Sequence, residues 1–235
     1  MRALVLAAAL CACTTEGPLG YSWDGRQVLC SLAIDDLSHD APVDEIDAEI
    51  QRAHDDGTVA LFHAHDPTHT VSIDAIEHVL GLADAAGLAY VTYAELTPDA
   101  APRPAIALAF DDQWVNDWLQ MAPELAAHGA RVTFFVTRVA MYDALTVDQL
   151  SQLAAMGHGV EAHSVNHLHA RDYEAAHGVD AYVADEVLPS IQILEDMGYP
   201  VTSYAFPFGE SDGALDAAVL QHVPRVRVSR GSCPE

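Results

Sequence analysis

The chain contains no lysine. All ten of its basic residues are arginine, against 35 acidic residues, and the formal net charge is −25. Without lysine there is no Schiff base to pyridoxal phosphate, no P-loop lysine and no Ser–Lys dyad. A duplex-binding surface needs clustered cations, so no nucleic acid partner is expected. Cysteine is scarce as well: there are four, none in a Cys-x-x-Cys pair. That removes a cysteine zinc site and thioredoxin-type redox chemistry. Long apolar runs are also missing, since residues 3–10 are too few to cross a bilayer and no later stretch is longer. What remains is 235 residues, 51% apolar and 19% charged, with 13 histidines. That suffices for the core of one α/β domain or two small ones.

Met1-Arg2 and the short apolar run lead to Leu10-Cys11-Ala12-Cys13, followed by polar Thr14 and Thr15. The pattern resembles a bacterial lipoprotein signal. It implies a signal peptide over 1–12, lipidation at Cys13, a short tether over 13–27 and one domain over 28–235. The expected location is the exported cell envelope, periplasm or outer membrane, with the lipid as the sole membrane attachment. Cleavage before Cys13 would leave Cys30 and Cys233, one near each end of the mature chain. In an oxidising compartment such a pair can form a disulfide.

Apolar runs at 28–34, 59–62, 88–93, 106–110, 132–136, 201–206 and 226–228 read as strands. Between them lie helical faces: Val43, Ile46, Ile50 and Ala53; Ile73, Ile76, Leu80 and Ala83; Leu150, Leu153 and Ala154; Val187, Ile191 and Leu194. The third face is opened by a capping-box pattern, Thr146-x-x-Gln149. Gly57, Gly87, Gly129, Gly157 and Gly198 each fall just past a helical stretch, where a left-handed cap is wanted. Strands alternating with helices predict an α/β fold, a distorted parallel (β/α) barrel of about seven strands. The proline-rich stretch 97–104 is the best candidate linker.

In such barrels the chemistry sits at the C-terminal ends of the strands. Those ends read Asp35-Asp36, His63-Ala64-His65, Asp111-Asp112, Glu161-Ala162-His163 and Pro207-Phe208-Gly209. Two adjacent carboxylates leaving a buried strand repel each other, and a cation or proton between them relieves this. One can ligate a metal while the other faces a reacting water. His163 and His167, four apart, would share a face on a helical turn and could share that metal, with His169 as a third candidate.

Ala109-Phe110-Asp111-Asp112-Gln113, His163-Ser164-Val165-Asn166-His167 and Ala205-Phe206-Pro207-Phe208-Gly209, in that order, resemble the first three motifs of the polysaccharide deacetylase (NodB-homology) family of carbohydrate esterases. The likeness runs over 104–230. The family's fourth and fifth motifs normally follow the third, but only 26 residues follow Gly209. Leu32-Ala33-Ile34-Asp35-Asp36 resembles the fourth motif, and Val59 to His63 the fifth. Residues 28–98 therefore resemble the family's C-terminal third placed in front, a circular permutation. The alternative is two incomplete half-domains. If one barrel forms, the first and last strands are neighbours and Cys30 comes near Cys233.

The resemblance implies a metal-dependent hydrolase that removes acetyl groups from an N-acetylated polysaccharide of the N-acetylglucosamine type, giving acetate and free amine. One divalent metal, most simply Zn²⁺, would be held by Asp112, His163 and His167. Asp111 would be the general base, and the metal with the backbone N–H of Phe208, after Pro207, would stabilise the oxyanion. His63 would protonate the leaving amine, oriented by Asp35 or Asp36, with His65 as its rival. The third-motif Arg is replaced by Ala205, the Tyr by Phe208, and the Gly after Asp-Asp by Gln113. These departures admit a weak or inactive glycan-binding homologue. A further alternative uses His63-x-His65 as the metal site of an amidohydrolase or PHP-type barrel.

Overall fold

The computed structural model describes residues 19–234. The signal segment 1–12 and Cys13 lie outside the described residues. All strand pairings are parallel: β1 (Val28–Ala33), β2 (Val59–Ala64), β3 (Ala89–Tyr90), β4 (Ala105–Asp112), β5 (Thr133–Val136), β6 (Gly159–Ala162), β7 (Ser203–Ala205) and β8 (Arg225–Ser229). Seven of them close a ring in the order β1-β2-β4-β5-β6-β7-β8, because β2 also pairs with β4. The remaining strand, β3, touches only Ala105 and Ile106 of β4. Both halves of the chain thus build one barrel, which excludes two incomplete half-domains. The proline-rich 97–104 stretch is a connection inside that barrel and not a boundary.

Around the ring lie α1 (Val43–Asp56), α2 (Ile73–Ala85), α3 (Val115–Ala127), α4 (Ala144–Ala155), α5 (Ala170–His177), α6 (Val179–Tyr182), α7 (Leu188–Asp196) and α8 (Gly213–Val219), with a π-turn over Val183–Val187 between α6 and α7. The strands obey the two-residue period. Ile106, Leu108 and Phe110 of β4 pack outward with Trp118, Met121 and Leu125 of α3, while Ala105, Ala107 and Ala109 face the barrel interior. Three alanines on one inward face suit a narrow barrel. All five glycines expected at helix ends have positive φ, between 62° and 93°.

Several local expectations give way. The strand expected over 88–93 is only two residues long, and β6 was hidden because Gly159 and Glu161 interrupt its apolar pattern. Glu161 accepts hydrogen bonds from the backbone N–H groups of Thr202 and Ser203 at 2.7 and 2.8 Å. It bridges a seam where β6 and β7 share one register pair, Ala162 with Tyr204. Helix α4 is capped by the Asp143 carboxylate accepting from Thr146 N–H, not by a Thr146–Gln149 box. Part of the expected tether belongs to the fold: Tyr21 pairs with Val59, and Tyr21 and Trp23 are buried against Leu29, Leu61 and Ala105, closing the N-terminal mouth of the barrel.

Strands β1 and β8 lie side by side, from Val28 opposite Val226 to Ser31 opposite Ser229. Cys30 and Cys233 are joined by a disulfide with Cα atoms 5.6 Å apart.

Candidate active site

The C-terminal ends of β4, β6, β7 and β8 and of the β2 strand meet at one mouth. Asp111, the last inward residue of β4, is buried, and its carboxylate is ion-paired to the guanidinium of Arg227 on β8. The second oxygen, Oδ1, is buried with no hydrogen-bond partner among the described residues. Arg227 is itself buried and lies opposite Ala205 in the β7–β8 register. The guanidinium that Ala205 lacks is thus supplied from the neighbouring strand. Arg227 also lies over the Phe135 ring, 5.4 Å from its centroid.

The chain turns sharply at Asp112 (φ 88°), which carries the second carboxylate away from the barrel interior. Its Oδ1 lies 3.0 Å from His167 Nε2 and 3.6 Å from His163 Nε2. Burial pushes the Asp112 carboxyl up, but the two imidazoles outweigh burial and hold it far below the usual carboxylate range. The histidines do not share a helical turn, contrary to their spacing. Residues 163–167 form a loop in which Ser164 and His167 have φ of 64° and 59°. That loop is clamped from several sides. His163 N–H donates to Val136 O, Thr137 Oγ1 to Ser164 O, and Asn166 N–H and Nδ2 to the buried Glu186 carboxylate.

His163 Nδ1 is 2.8 Å from Ala205 O, so that ring nitrogen is engaged by the backbone and Nε2 is the one directed at Asp112. Asp112 Oδ1 is buried with no aligned donor. A carboxylate and two imidazole nitrogens within 4.8 Å of one another are a donor set that fits a divalent metal.

On the opposite side His65, just past β2, has its Nδ1 2.8 Å from Asp35 Oδ2. Asp35 also accepts from His65 N–H at 3.1 Å and from Thr70 Oγ1 at 2.7 Å. Burial pushes the Asp35 carboxyl up, but the His65 imidazole and the other donors hold it below its ordinary value. Burial works against protonation of His65, yet Asp35, with the charges of Asp111 and Asp112, carries its pKa up to about 9.

Asp35 therefore orients His65 and not His63, and Asp36 serves elsewhere, accepting from Ser72 N–H and Oγ. His63 points into the barrel, where its Nδ1 is 2.9 Å from Ser31 Oγ and its Nε2 3.4 Å from Ser229 Oγ. Burial, then the Arg227 charge, drives its pKa well below the ordinary histidine value. Among the described residues neither His63 nor His65 joins a metal-ligand cluster, so the His-x-His site of an amidohydrolase or PHP-type barrel does not form.

Pro207-Phe208-Gly209 is a short 3₁₀ turn at the end of β7, with Phe208 at φ 59°. A Cβ on Gly209 would meet Ser229 Oγ at 1.9 Å, so only glycine lets this turn lie against β8. The half-exposed Phe208 ring stacks on His169 at 3.6 Å and edges His167 at 4.6 Å. His169, once a third ligand candidate, instead pairs with Glu210. Beyond Phe208 opens a cleft of 980 Å³ reaching Arg171, Glu174, Asp212 and Ser229.

The structure adds one residue to those named from the sequence, Arg227, and between His63 and its rival it is His65 that pairs with Asp35. Arg227 had a signal: Arg225-Val226-Arg227-Val228 places two of ten cations on the inward side of a buried strand.

No curated protein sequence matches the chain. Solved structures share its fold. IcaB from Ammonifex degensii is 16% identical, with TM-score 0.59 over 74% of this chain and 86% of that one. A de-N-acetylase from Aggregatibacter actinomycetemcomitans is 15% identical, with TM-score 0.56 over 70% and 85%. BC0361, a polysaccharide deacetylase from Bacillus cereus, is 18% identical, with TM-score 0.54 over 72% of this chain and 56% of that one. A family model described as polysaccharide deacetylase matches residues 99–223, more than half of the chain, and with β1 and β2 completing the same ring this protein belongs to the polysaccharide deacetylase family.

Proposed function

We propose that the protein is a metal-dependent deacetylase that removes acetyl groups from an N-acetylglucosamine-type polysaccharide, in a circularly permuted version of the family's barrel. The observation that carries this reading is the meeting, at one mouth, of a metal-type donor set, a guanidinium-held carboxylate and a carboxylate-held imidazole. Asp112, His163 and His167 would hold one divalent metal, Zn²⁺ in our reading, which supplies Lewis acidity toward a water and the acetyl oxygen.

The remaining steps belong to this chain's own groups. Arg227 fixes Asp111 in position, leaving Oδ1 to take the proton as water adds to the acetyl carbon. The Phe208 N–H, at the turn fixed by Pro207 and Gly209, donates to the acetyl oxygen as it gains charge. His65, with its pKa near 9, is protonated at neutral pH and delivers its proton to the departing amine nitrogen. The C–N bond breaks with its electron pair leaving on nitrogen, and the products are acetate and a free amine. The inactive-homologue reading leaned on Ala205, and Arg227 removes much of its force. Export to the cell envelope is proposed as well, and the Cys30–Cys233 bond supports an oxidising compartment.

The test is acetate release from a panel of N- and O-acetylated glycans, with and without chelator. Release from N-acetylglucosamine oligomers that chelator abolishes and Zn²⁺ restores is expected. No release by metal-reconstituted protein from any member of the panel overturns the reading.

A further inference from the structure

A second group of ligand-type side chains stands behind the site, on the loop that carries His65. Asp66, His69 and Asp117 each bring a ligand atom within 4.8 Å of the others. Asp66 is buried, with its side chain 5% exposed, and its Oδ1 is 3.1 Å from His69 Nδ1. Its Oδ2 has no hydrogen-bond partner among the described residues. Asp117, in the first turn of α3, spends Oδ1 on Asn116 Nδ2 and Gln120 Nε2, which leaves its other oxygen unpartnered there too. Residues 117, 120, 121 and 124 share one face of α3 and line a small cavity of 190 Å³ with Pro67 and Thr68.

Two carboxylates thus each keep an oxygen without a donor beside one imidazole, and among the described residues no arginine is paired with either. Two ionised carboxylates facing each other across a half-buried gap repel unless a cation lies between them. The His69 imidazole shows which sort of cation. Oxygen donors alone would suit calcium or magnesium, whereas carboxylates with an imidazole suit a first-row transition ion.

We propose that Asp66, His69 and Asp117 form a second, structural site for a divalent transition metal of the Zn²⁺ class. The site would brace the acid loop. Trp118 Nε1 already donates to His65 O at 2.9 Å, tying α3 to that loop. Thr70 Oγ1 donates to Asp35 and accepts from Asp66 N–H, so one hydroxyl links Asp66 to the His65–Asp35 pair. An ion between Asp66 and Asp117 would pin this loop to α3. The assignment stands apart from the deacetylase reading, since it uses none of the Asp112 cluster.

The experiment counts Zn²⁺ on the full chain carrying His163→Ala and His167→Ala, which disables the first cluster, after dialysis and by elemental analysis. About one equivalent should remain, against about two on the unaltered chain, and Zn²⁺ should raise its melting temperature. Adding His69→Ala, an exposed position that the fold does not need, and Asp117→Asn should abolish both the equivalent and the thermal shift. Absence of Zn²⁺ from the first variant overturns the proposal, as does retention that survives the added substitutions. Binding of Ca²⁺ with no Zn²⁺ overturns it also, because an imidazole adds nothing to a calcium site. Acetate release is not part of the readout, so failure here leaves the first site's reading untouched.

Discussion

Arg227 and Asp111 are paired inside the barrel, with a guanidinium from β8 reaching a carboxylate at the end of β4. Both side chains are almost fully buried, so neither charge has water to fall back on. Removing one partner of such a pair leaves the other stranded, which costs about 3–5 kcal/mol. Arg227→Met should lower stability by that order and cut turnover, as measured by denaturant melts and acetate release. Ala205 sits beside Arg227 in register, so Ala205→Arg with Arg227→Ala returns a guanidinium to the same space. This double variant should recover part of the lost rate. Recovery no better than Arg227→Ala alone would show that the two positions do not serve one carboxylate.

Asp111→Asn separates base from ligand. The amide fills the same volume and can still face Arg227, but it cannot take a proton from water. The rate should fall by roughly 10²–10⁴, while metal content, read by elemental analysis, stays as in the unaltered chain. Loss of metal would assign Asp111 to the ligand set instead.

The barrel's strand ends were legible because each motif pairs a short apolar run with residues that a buried strand does not otherwise tolerate. Asp111-Asp112, His163 to His167 and Pro207 to Gly209 stand out for that reason, and the ring brings all three together. Arg227 was not legible from the motifs because its partner is set by register across β7 and β8. That relation exists only once the ring has closed. His63 matched a motif spacing, yet Asp35 reaches past it to His65, since His63 points into the barrel and His65 lies beyond the strand end. The convergence of His163 and His167 was expected for the wrong local reason. Two left-handed residues in a clamped loop achieve what a helical turn was expected to do.

The His65–Asp35 pair makes a pH prediction whose sign can be worked through. His65 has a folded pKa of about 9, above its free value of 6.5. Its contribution to stability is fully present below pH 6.5 and is lost as pH rises through about 9. The proton it gives to the amine is lost over the same range, so the rate on amide substrates should decline on the alkaline side. Asp35→Asn removes the charge and the hydrogen bond that raise this pKa, and it should move the alkaline limb downward by about one unit or more. His65→Ala should cost roughly 10²–10⁴ in rate, and His63→Ala should act mainly on stability. A larger rate loss from His63→Ala would return the acid role to His63.

The Cys30–Cys233 bond ties β1 to the turn just past β8, its neighbour in the ring, across a separation of 203 residues in the chain. Closing so long a loop restricts the unfolded chain far more than the folded one, where β1 and β8 already hold each other. In the chain-entropy account this is worth about 3–5 kcal/mol. For a domain of this size that corresponds to a melting temperature lower by about 6–20 °C when the bond is lost. Cys30 belongs to the outward-facing layer under the helices, whereas Asp111, Arg227 and His63 face the interior. Cys30→Ser with Cys233→Ser should therefore melt earlier yet keep its turnover at temperatures where it remains folded. Scanning calorimetry with and without reductant, beside acetate release at low temperature, separates the two effects. An unchanged melting temperature would mean that the β1–β8 pairing alone closes the barrel. Equal loss of stability and low-temperature activity would mean that the bond shapes the site as well.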